Sequence, residues 1–270
     1  MASFTHLGVH SDFSPLAGTA TAKEYVAAAI GLGQAAIGFT EIGSMRGTYE
    51  VQSVCEGKIK PIFGVQISLV PDMHKQGASK EERDSFLAGF PREQWHEANR
   101  ILDELHGSTG REVSPEWITL WAESDEGLKN LWRITTDSHV KGFYYRPRVD
   151  IECICNNKEG IIVGTGGFDG AIGASVNSGK LAKAMKILDR LYAEFGSRLI
   201  LEIQPHRLVQ TAKTNKFILE NRLRWPGARV AATVSPYYIK KSDVVHHRVY
   251  ASIGSKRDPD DCGMPGNGHW

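Results

Sequence analysis

Apolar residues along this chain fall into two alternating rhythms. Short apolar runs of strand length lie at Phe4–Val9, Ala35–Phe39, Pro61–Val70, Trp117–Trp121, Ile161–Gly164, Arg198–Gln204 and Arg229–Thr233. Helical spacing fills most of the gaps between them. Thr21-Ala-Lys-Glu24 has the form of a capping box, in which Thr21 caps the helix and Glu24 reaches back to its first amide. Tyr25, Val26, Ala29 and Ile30 follow at helical spacing, and Gly31 and Gly33 stop the run. Leu181–Phe195 repeats the form, with Leu181, Ala184, Met185, Leu188 and Leu191 on one face. Seven strands alternating with helices predict a parallel sheet, either closed into a barrel or open and doubly wound. The stretch 71–115 is polar and charged, with helical patterns at Lys80–Leu87 and Arg92–His106. It reads as a polar helical insertion into one domain spanning 1–270, because charged residues of this density belong on a solvated surface.

Composition narrows the class of function. Of the 270 residues, 41% are apolar and 23% charged, which is ordinary for a soluble globular chain. Lys and Arg total 32 against 31 Asp and Glu, a net charge of +1. A protein that grips a phosphate backbone needs a concentrated basic surface, so weak or no direct nucleic-acid binding is expected. There is no apolar run long enough to span a bilayer and no signal-peptide pattern, so a cytoplasmic protein without membrane attachment is expected. Cys55, Cys153, Cys155 and Cys262 are few and irregularly spaced, which fits ordinary thiols rather than a zinc site or a disulfide framework.

The opening Phe4-Thr-His-Leu-Gly-Val-His-Ser-Asp-Phe-Ser14 carries the first hint of chemistry. Alternate strand residues share a face, so His6, Gly8 and His10 would project together, and the middle one offers no ligand. The C-terminal ends of the other strands, where a βα barrel gathers its functional groups, bring Glu41 and Ile42, Gln66, Gly166 and Gly167, His206, and Ser235-Pro-Tyr237. A site for two or three dications needs many carboxylates or imidazoles. With Gly8 and His10 at the end of the first strand, these ends supply two imidazoles, His10 and His206, and one carboxylate, Glu41, and so predict a polar-lined or plugged mouth with no metal or other cofactor.

The same residues carry a family resemblance, together with Gly38-Phe-Thr-Glu-Ile-Gly-Ser-Met-Arg-Gly47, Ile59-Lys-Pro-Ile-Phe-Gly64, Glu126-Gly-Leu-Lys-Asn-Leu131, Gly142-Phe-Tyr-Tyr-Arg-Pro-Arg-Val-Asp150 and Leu201-Glu-Ile-Gln204. The chain resembles the PHP (polymerase and histidinol phosphatase) domain at the N-terminus of bacterial polymerase III α subunits. The resemblance implies a distorted seven-stranded (β/α)7 TIM-like barrel holding up to three metals. Carried over by position, the first-strand His pair falls on Gly8 and His10, and the acid after it on Ala17. The next motif puts its Asp on Glu41 and its ligand His on Ile42. Further ligand positions fall on Gln66, Trp117, Gly167, Ser235 and Tyr237. Of the expected ligands only His10 survives in kind. His206 matches a common family His that is not counted as a ligand. No catalytic and no metal residue is therefore expected. His10, Glu41, Gln66, Trp117, His206, Ser235 and Tyr237 are expected to line a remnant cleft.

In function, the resemblance implies a non-catalytic module in DNA replication, partnered by replisome proteins such as polymerase segments or a proofreading exonuclease. A metal-dependent phosphoesterase or exonuclease with a rebuilt site is the alternative. Residues 255–270 resemble the family's exit towards a polymerase region, which leaves a fragment, part of a split polymerase and a free-standing protein all open. Two tempting groups have plainer roles: His246 and His247 are expected on a surface helix over Asp243–Ile253, and Tyr144, Tyr145, Arg146 and Arg148 as anchors of a loop.

Overall fold

The computed structural model describes residues 4–105, 116–255 and 258. The first helix, α1 (Ala22–Gly31), starts at the predicted box: Thr21 accepts from the Glu24 amide and Glu24 from the Thr21 amide. It leads into β1 (Ala36–Ile42), α2 (Thr48–Cys55) and β2 (Lys60–Leu69). The polar insertion then forms α3 (Lys80–Leu87), a short 3-10 turn and α4 (Trp95–Leu105). Its expected end at His106 and the stretch to 115 lie outside the described residues, as do nearly all of 255–270. The chain re-enters the sheet as β3 (Trp117–Ala122), followed by α5 (Asp125–Val140), β4 (Arg148–Val149) and α6 (Ile151–Asn156). The rest comprises β5 (Ile161–Gly164), α7 (Ala171–Asn177), α8 (Leu181–Phe195), β6 (Leu199–Ile203), α9 (Val209–Asn221), β7 (Arg229–Ala232) and α10 (Val244–Ser255).

The strands form one curled sheet in the order β1-β2-β3-β5-β6-β7, with β4 beside the end of β2. The architecture is α/β with a half-barrel sheet. Two features depart from expectation. The sheet is not all parallel, because β3 runs antiparallel to both β2 and β5. The long polar insertion explains this: it is no simple crossover helix, so nothing obliges the chain to re-enter from the opposite end.

The second departure is at Phe4–Val9, which is not a ladder strand. Only Val9 bridges to Phe39. The Gly38 amide donates to His6 O at 2.6 Å and the Val9 amide to Gly38 O at 2.9 Å, so Leu7 and Gly8 bulge between them. The bulge turns the Leu7 carbonyl inward, where it accepts from Trp121 Nε1 at 2.8 Å. On its other side the segment meets the stretch after β7, through His10 N–H to Pro236 O at 3.2 Å. Among the described residues no hydrogen bond joins β1 to β7 directly.

The sheet has two unlike faces. Val65, Ile67, Ile118, Leu120, Val163 and Leu201 point outward into an aliphatic core shared with Leu131 and Ile134 of α5 and Leu188 of α8. Ile37 and Phe39 pack against Tyr25, Val26 and Val51 in a second cluster. The alternate positions face inward, and they position the site.

Candidate functional site

Register places the inward residues side by side. Thr40 pairs with Gly64, Gly64 with Trp121, Ile42 with Gln66, Gln66 with Thr119, and Ser68 with Trp117. Trp121 lies across this face. A Cβ on Gly64 would stand 2.8 Å from its ring, and one on Gly164 would stand 2.6 Å from it and collide with Glu202 Oε1. Trp121 and Glu202 therefore occupy room that side chains at those two positions would need.

Glu202, on β6, is buried, and its oxygens are taken. The Gly166 amide donates to Oε1 at 2.7 Å and Thr233 Oγ1 donates to Oε2 at 2.8 Å, with the Thr119 hydroxyl also bonded. Burial outweighs these bonds and holds its carboxyl above the usual range. Asp169 faces the same region, and burial pushes its carboxyl up to about 6.

Glu41 belongs to the other face of β1, in step with Phe39. The loop after His10 saturates it: the Ser11 amide donates to both oxygens at 3.2 and 3.1 Å, Ser11 Oγ to Oε1 at 2.6 Å, and Ser14 Oγ to Oε2. Ser14 Oγ in turn accepts from the Ile42 amide at 2.9 Å. Burial again raises the carboxyl, against the pull of the serine hydrogen bonds.

His10 is fully buried, and neither ring nitrogen has a hydrogen-bond partner. Burial lowers it to about 4, against a smaller upward pull from the Thr40 backbone, so the ring is neutral at pH 7. Its ring stacks on Tyr237 (centroids 4.9 Å apart, planes 14° apart), and Tyr237 stacks on His247 at 5.6 Å. Burial also raises the Tyr237 phenol. His247 is a correction: α10 forms close to where the pattern put it, but His247 turns inward and is buried, while His246 alone stays exposed.

Of the seven predicted cleft residues, the structure brings His10 and Tyr237 into contact. It sets Ser235 against Gly8, where an added Cβ would be 3.5 Å from Ser235 Oγ and 2.9 Å from Val234 O. Gln66 is buried between Ile42 and Thr119 in the sheet, with Oε1 unpartnered. Trp117 sits half-buried at the start of β3 and bridges to Gly170. His206 meets Phe168 edge-on at 6.1 Å. Gly167 lies against the Gln204 amide, which leaves no room for a Cβ. Glu41 does not share the inner face.

Sequence reasoning did not single out Trp121, Asp169, Glu202, Ser11 or Ser14. A lone acid inside the apolar run Leu199–Ile203 was the available signal for Glu202. The Arg148 reading holds: its guanidinium is buried, donates to Gly142 O at 2.8 Å and Lys75 O at 3.0 Å, and lies 5.0 Å over Tyr144.

The residues present do not fit the dications that the resemblance implies. Among the described residues no three His, Cys, Asp or Glu side chains stand close enough to hold a metal ion. Glu41 and Glu202 spend their oxygens on protein donors, and His10 lies under a tyrosine ring. No described helix is long and apolar enough to cross a membrane.

The PHP domain family matches residues 6–206. Among individual proteins, the chain is similar to the DNA polymerase III subunit alpha of Treponema pallidum, 27% identical over 261 residues, which is 96% of this chain and 20% of that protein. That of Aquifex aeolicus is 26% identical over 94% of this chain and 20% of its own length. The Deinococcus radiodurans protein is 28% identical over 94% and 17%. The chain thus spans about a fifth of the length of the curated relatives it matches.

Proposed function

The chain belongs to the PHP domain family, and from that premise we propose that it serves DNA replication by protein contact and hydrolyses no phosphoester. The observation that carries this reading is the fate of the two buried carboxylates, Glu202 on the inner face and Glu41 on the opposite face of β1. Phosphoester hydrolysis by dications needs carboxylate and imidazole lone pairs aimed at the metal, and a water lowered in pKa by it. Here the Glu202 and Glu41 oxygens accept from Gly166, Thr233, Ser11 and Ser14, and Trp121 occupies the space beside Glu202. A filled face of this kind stiffens a scaffold. The relatives' name, DNA polymerase III subunit alpha, supports a replication context; polymerase segments or a proofreading exonuclease are the partners proposed.

The second reading, a phosphoesterase with a rebuilt site, draws on one observation: Asp169 lies close enough to both the buried acid Glu202 and Tyr237 for its charge to raise each of them. The saturation of Glu202 weighs against it.

The test is turnover by the purified chain of 3′-labelled single-stranded DNA and of p-nitrophenyl phosphate, with Mn or with Zn. Background rates are expected in every arm. Robust hydrolysis abolished by His10→Ala would refute the contact reading and restore the phosphoesterase.

A further inference from the structure

The outer face of the sheet loses its helical cover at β7. Outward residues of β2, β3, β5 and β6 lie in the aliphatic core, where Leu201 of β6 meets Phe217 and Ile218 of α9. On β7, Val230 pairs with Leu201 and Ala232 with Ile203, so they share that side of the sheet. Both are exposed, Val230 at 38%. The helix over the neighbouring strand borders this bare strip. α9 buries Thr211, Thr214, Phe217 and Ile218. It exposes Val209, Lys213, Lys216 and Leu219 at helical spacing along the opposite face. Leu223, in the 3-10 turn that leads to β7, prolongs the ridge at 83% exposure.

Charge on this surface is one-sided. From Pro205 to Ala232 the chain has six Lys and Arg and one acid, Glu220. Glu220 lies 3.8 Å from Lys216, and Asp189 of α8 accepts from Arg224 and from Trp225 Nε1. Arg207, Lys213, Arg222 and Arg229 are exposed, with no carboxylate in ion-pair range among the described residues. α7, packed beside α9, carries no charged residue.

We infer that α9 and the bare side of β7 form a docking face for an acidic amphipathic helix of a partner protein. This inference rests on the protein-contact reading and gives it a surface away from the inner face. Helices are what cover the outer side of this sheet elsewhere, so a helix fits the uncovered strand. The unpaired cations select acidic side chains on it. The exposed Val209, Leu219, Leu223 and Val230 select an apolar stripe and give a phosphate backbone nothing to meet. Phe217 and Trp225, the Phe and Trp of the stretch, are buried and offer nucleic-acid bases no stacking platform.

The probe is a fluorescein-labelled, acetylated and amidated peptide of two tandem Glu-Leu-Leu-Glu-Ala-Leu-Glu repeats, titrated by anisotropy against the whole chain. Saturable binding is expected. Leu223→Asp, the pair Lys213→Glu with Arg222→Glu, and Val230→Asp should each weaken it at least tenfold. Lys23→Glu, which reverses an exposed charge on α1, should leave it unchanged. The Leu223 side chain is exposed, so that variant keeps its unfolding midpoint and its result stands even if Val230→Asp loses stability. The peptide with Gln for Glu, or with Pro at its centre, should bind at least tenfold more weakly. Three results would each overturn the inference: no saturation at millimolar chain, equal binding of the Gln or Pro peptide, or indifference to Leu223→Asp or to the charge-reversed pair. A DNA duplex or phosphatidylserine vesicles displacing the probe at lower concentration than unlabelled peptide would also overturn it, by assigning the face to phosphate. Dimers that Leu223→Asp dissolves would overturn it by assigning the face to a second copy. The contact reading fails separately, on hydrolysis.

Discussion

The outer face of the sheet buries Val65, Ile67, Leu120, Val163 and Leu201 against helices, whereas the inner face carries Thr40, Gln66, Thr119, Trp121 and Glu202. Both faces are shielded from water, but they are held differently. Outer contacts are aliphatic and non-directional, so their worth scales with area and they tolerate swaps of similar volume. Inner contacts are specific: Trp121 Nε1 has one acceptor, at Leu7 O, and each Glu202 oxygen has a donor at 2.7 or 2.8 Å. The difference teaches that a buried polar face need not collapse into an aliphatic core. It can keep acids and imidazoles while their partners become the protein's own amides, hydroxyls and rings.

Removing the tryptophan breaks this comparison most directly. Trp121→Ala opens the inner face and strands the Leu7 carbonyl, with an expected cost of about 3–5 kcal/mol. Urea unfolding at pH 7 measures it beside Leu120→Ala on the outer face, expected at about 2–5 kcal/mol. A Trp121→Ala midpoint close to that of the unmodified chain would mean the inner face bears no load. Glu202→Leu comes next. It leaves the Gly166 amide and the Thr233 hydroxyl without their acceptor, at about 1–3 kcal/mol for each such group. Glu202→Gln keeps one acceptor and should recover part of that loss. Equal unfolding curves for Glu202→Leu and the unmodified chain would show that the hydrogen bonds are incidental.

The outer face was the legible one. Apolar runs and helical spacing depend on local sequence, so six of the seven predicted strands, the Thr21 box and the 181–195 helix all stand within a few residues of their expected positions. Ladder direction was not legible, because the antiparallel entry of β3 is decided by where a long polar insertion returns. Phe4–Val9 has strand-like residues, and its bulge arises from an indole more than a hundred positions away. On the inner face, what each position lacks could be read from Gly8, Ile42 and Gly167. What packs there could not, since the Tyr237 ring between His10 and His247, like Ser14 on Glu41 at the opposite face, is a pairing of tertiary structure alone.

Placing an imidazole at position 8 sharpens the contrast. A Cβ at Gly8 would already lie 2.9 Å from Val234 O. Gly8→His is therefore expected to lower stability by the cost of overpacking, about 1–3 kcal/mol, and zinc should not restore it. Recovery of the unfolding midpoint on adding zinc would show that the inner face can hold a metal.

The buried imidazole gives a smaller effect, read against pH. His10 is lowered from 6.5 to about 4 in the fold, so the folded chain binds fewer protons than the unfolded one between those values. Its contribution is fully present above pH 6.5 and is lost as pH falls towards 4. Asp169, raised from 3.8 to about 6, acts in the opposite sense over much of that window, so the whole-chain slope mixes the two. His10→Phe isolates the histidine. Relative to the unmodified chain, its stability should fall less steeply between pH 6.5 and 4.5, by up to about 1.4 kcal/mol per pH unit. Parallel slopes would mean that the ring is protonated or solvated in the fold.

The smallest expected effect is a null one. A dication held only by the folded chain at a hundred times its dissociation constant would add about 2.7 kcal/mol. For a chain of this size that is worth about 2–4 °C of midpoint per kcal/mol. Removing it with EDTA would therefore lower the melting temperature by several degrees, and His10→Ala would abolish that sensitivity. With Glu41 and Glu202 already supplied with protein donors and Tyr237 stacked over His10, the EDTA and zinc melting curves should superimpose for both chains. A zinc-dependent rise in the unmodified chain that disappears in His10→Ala would place a metal on the inner face and erase the distinction drawn between its carboxylates and those of a working site.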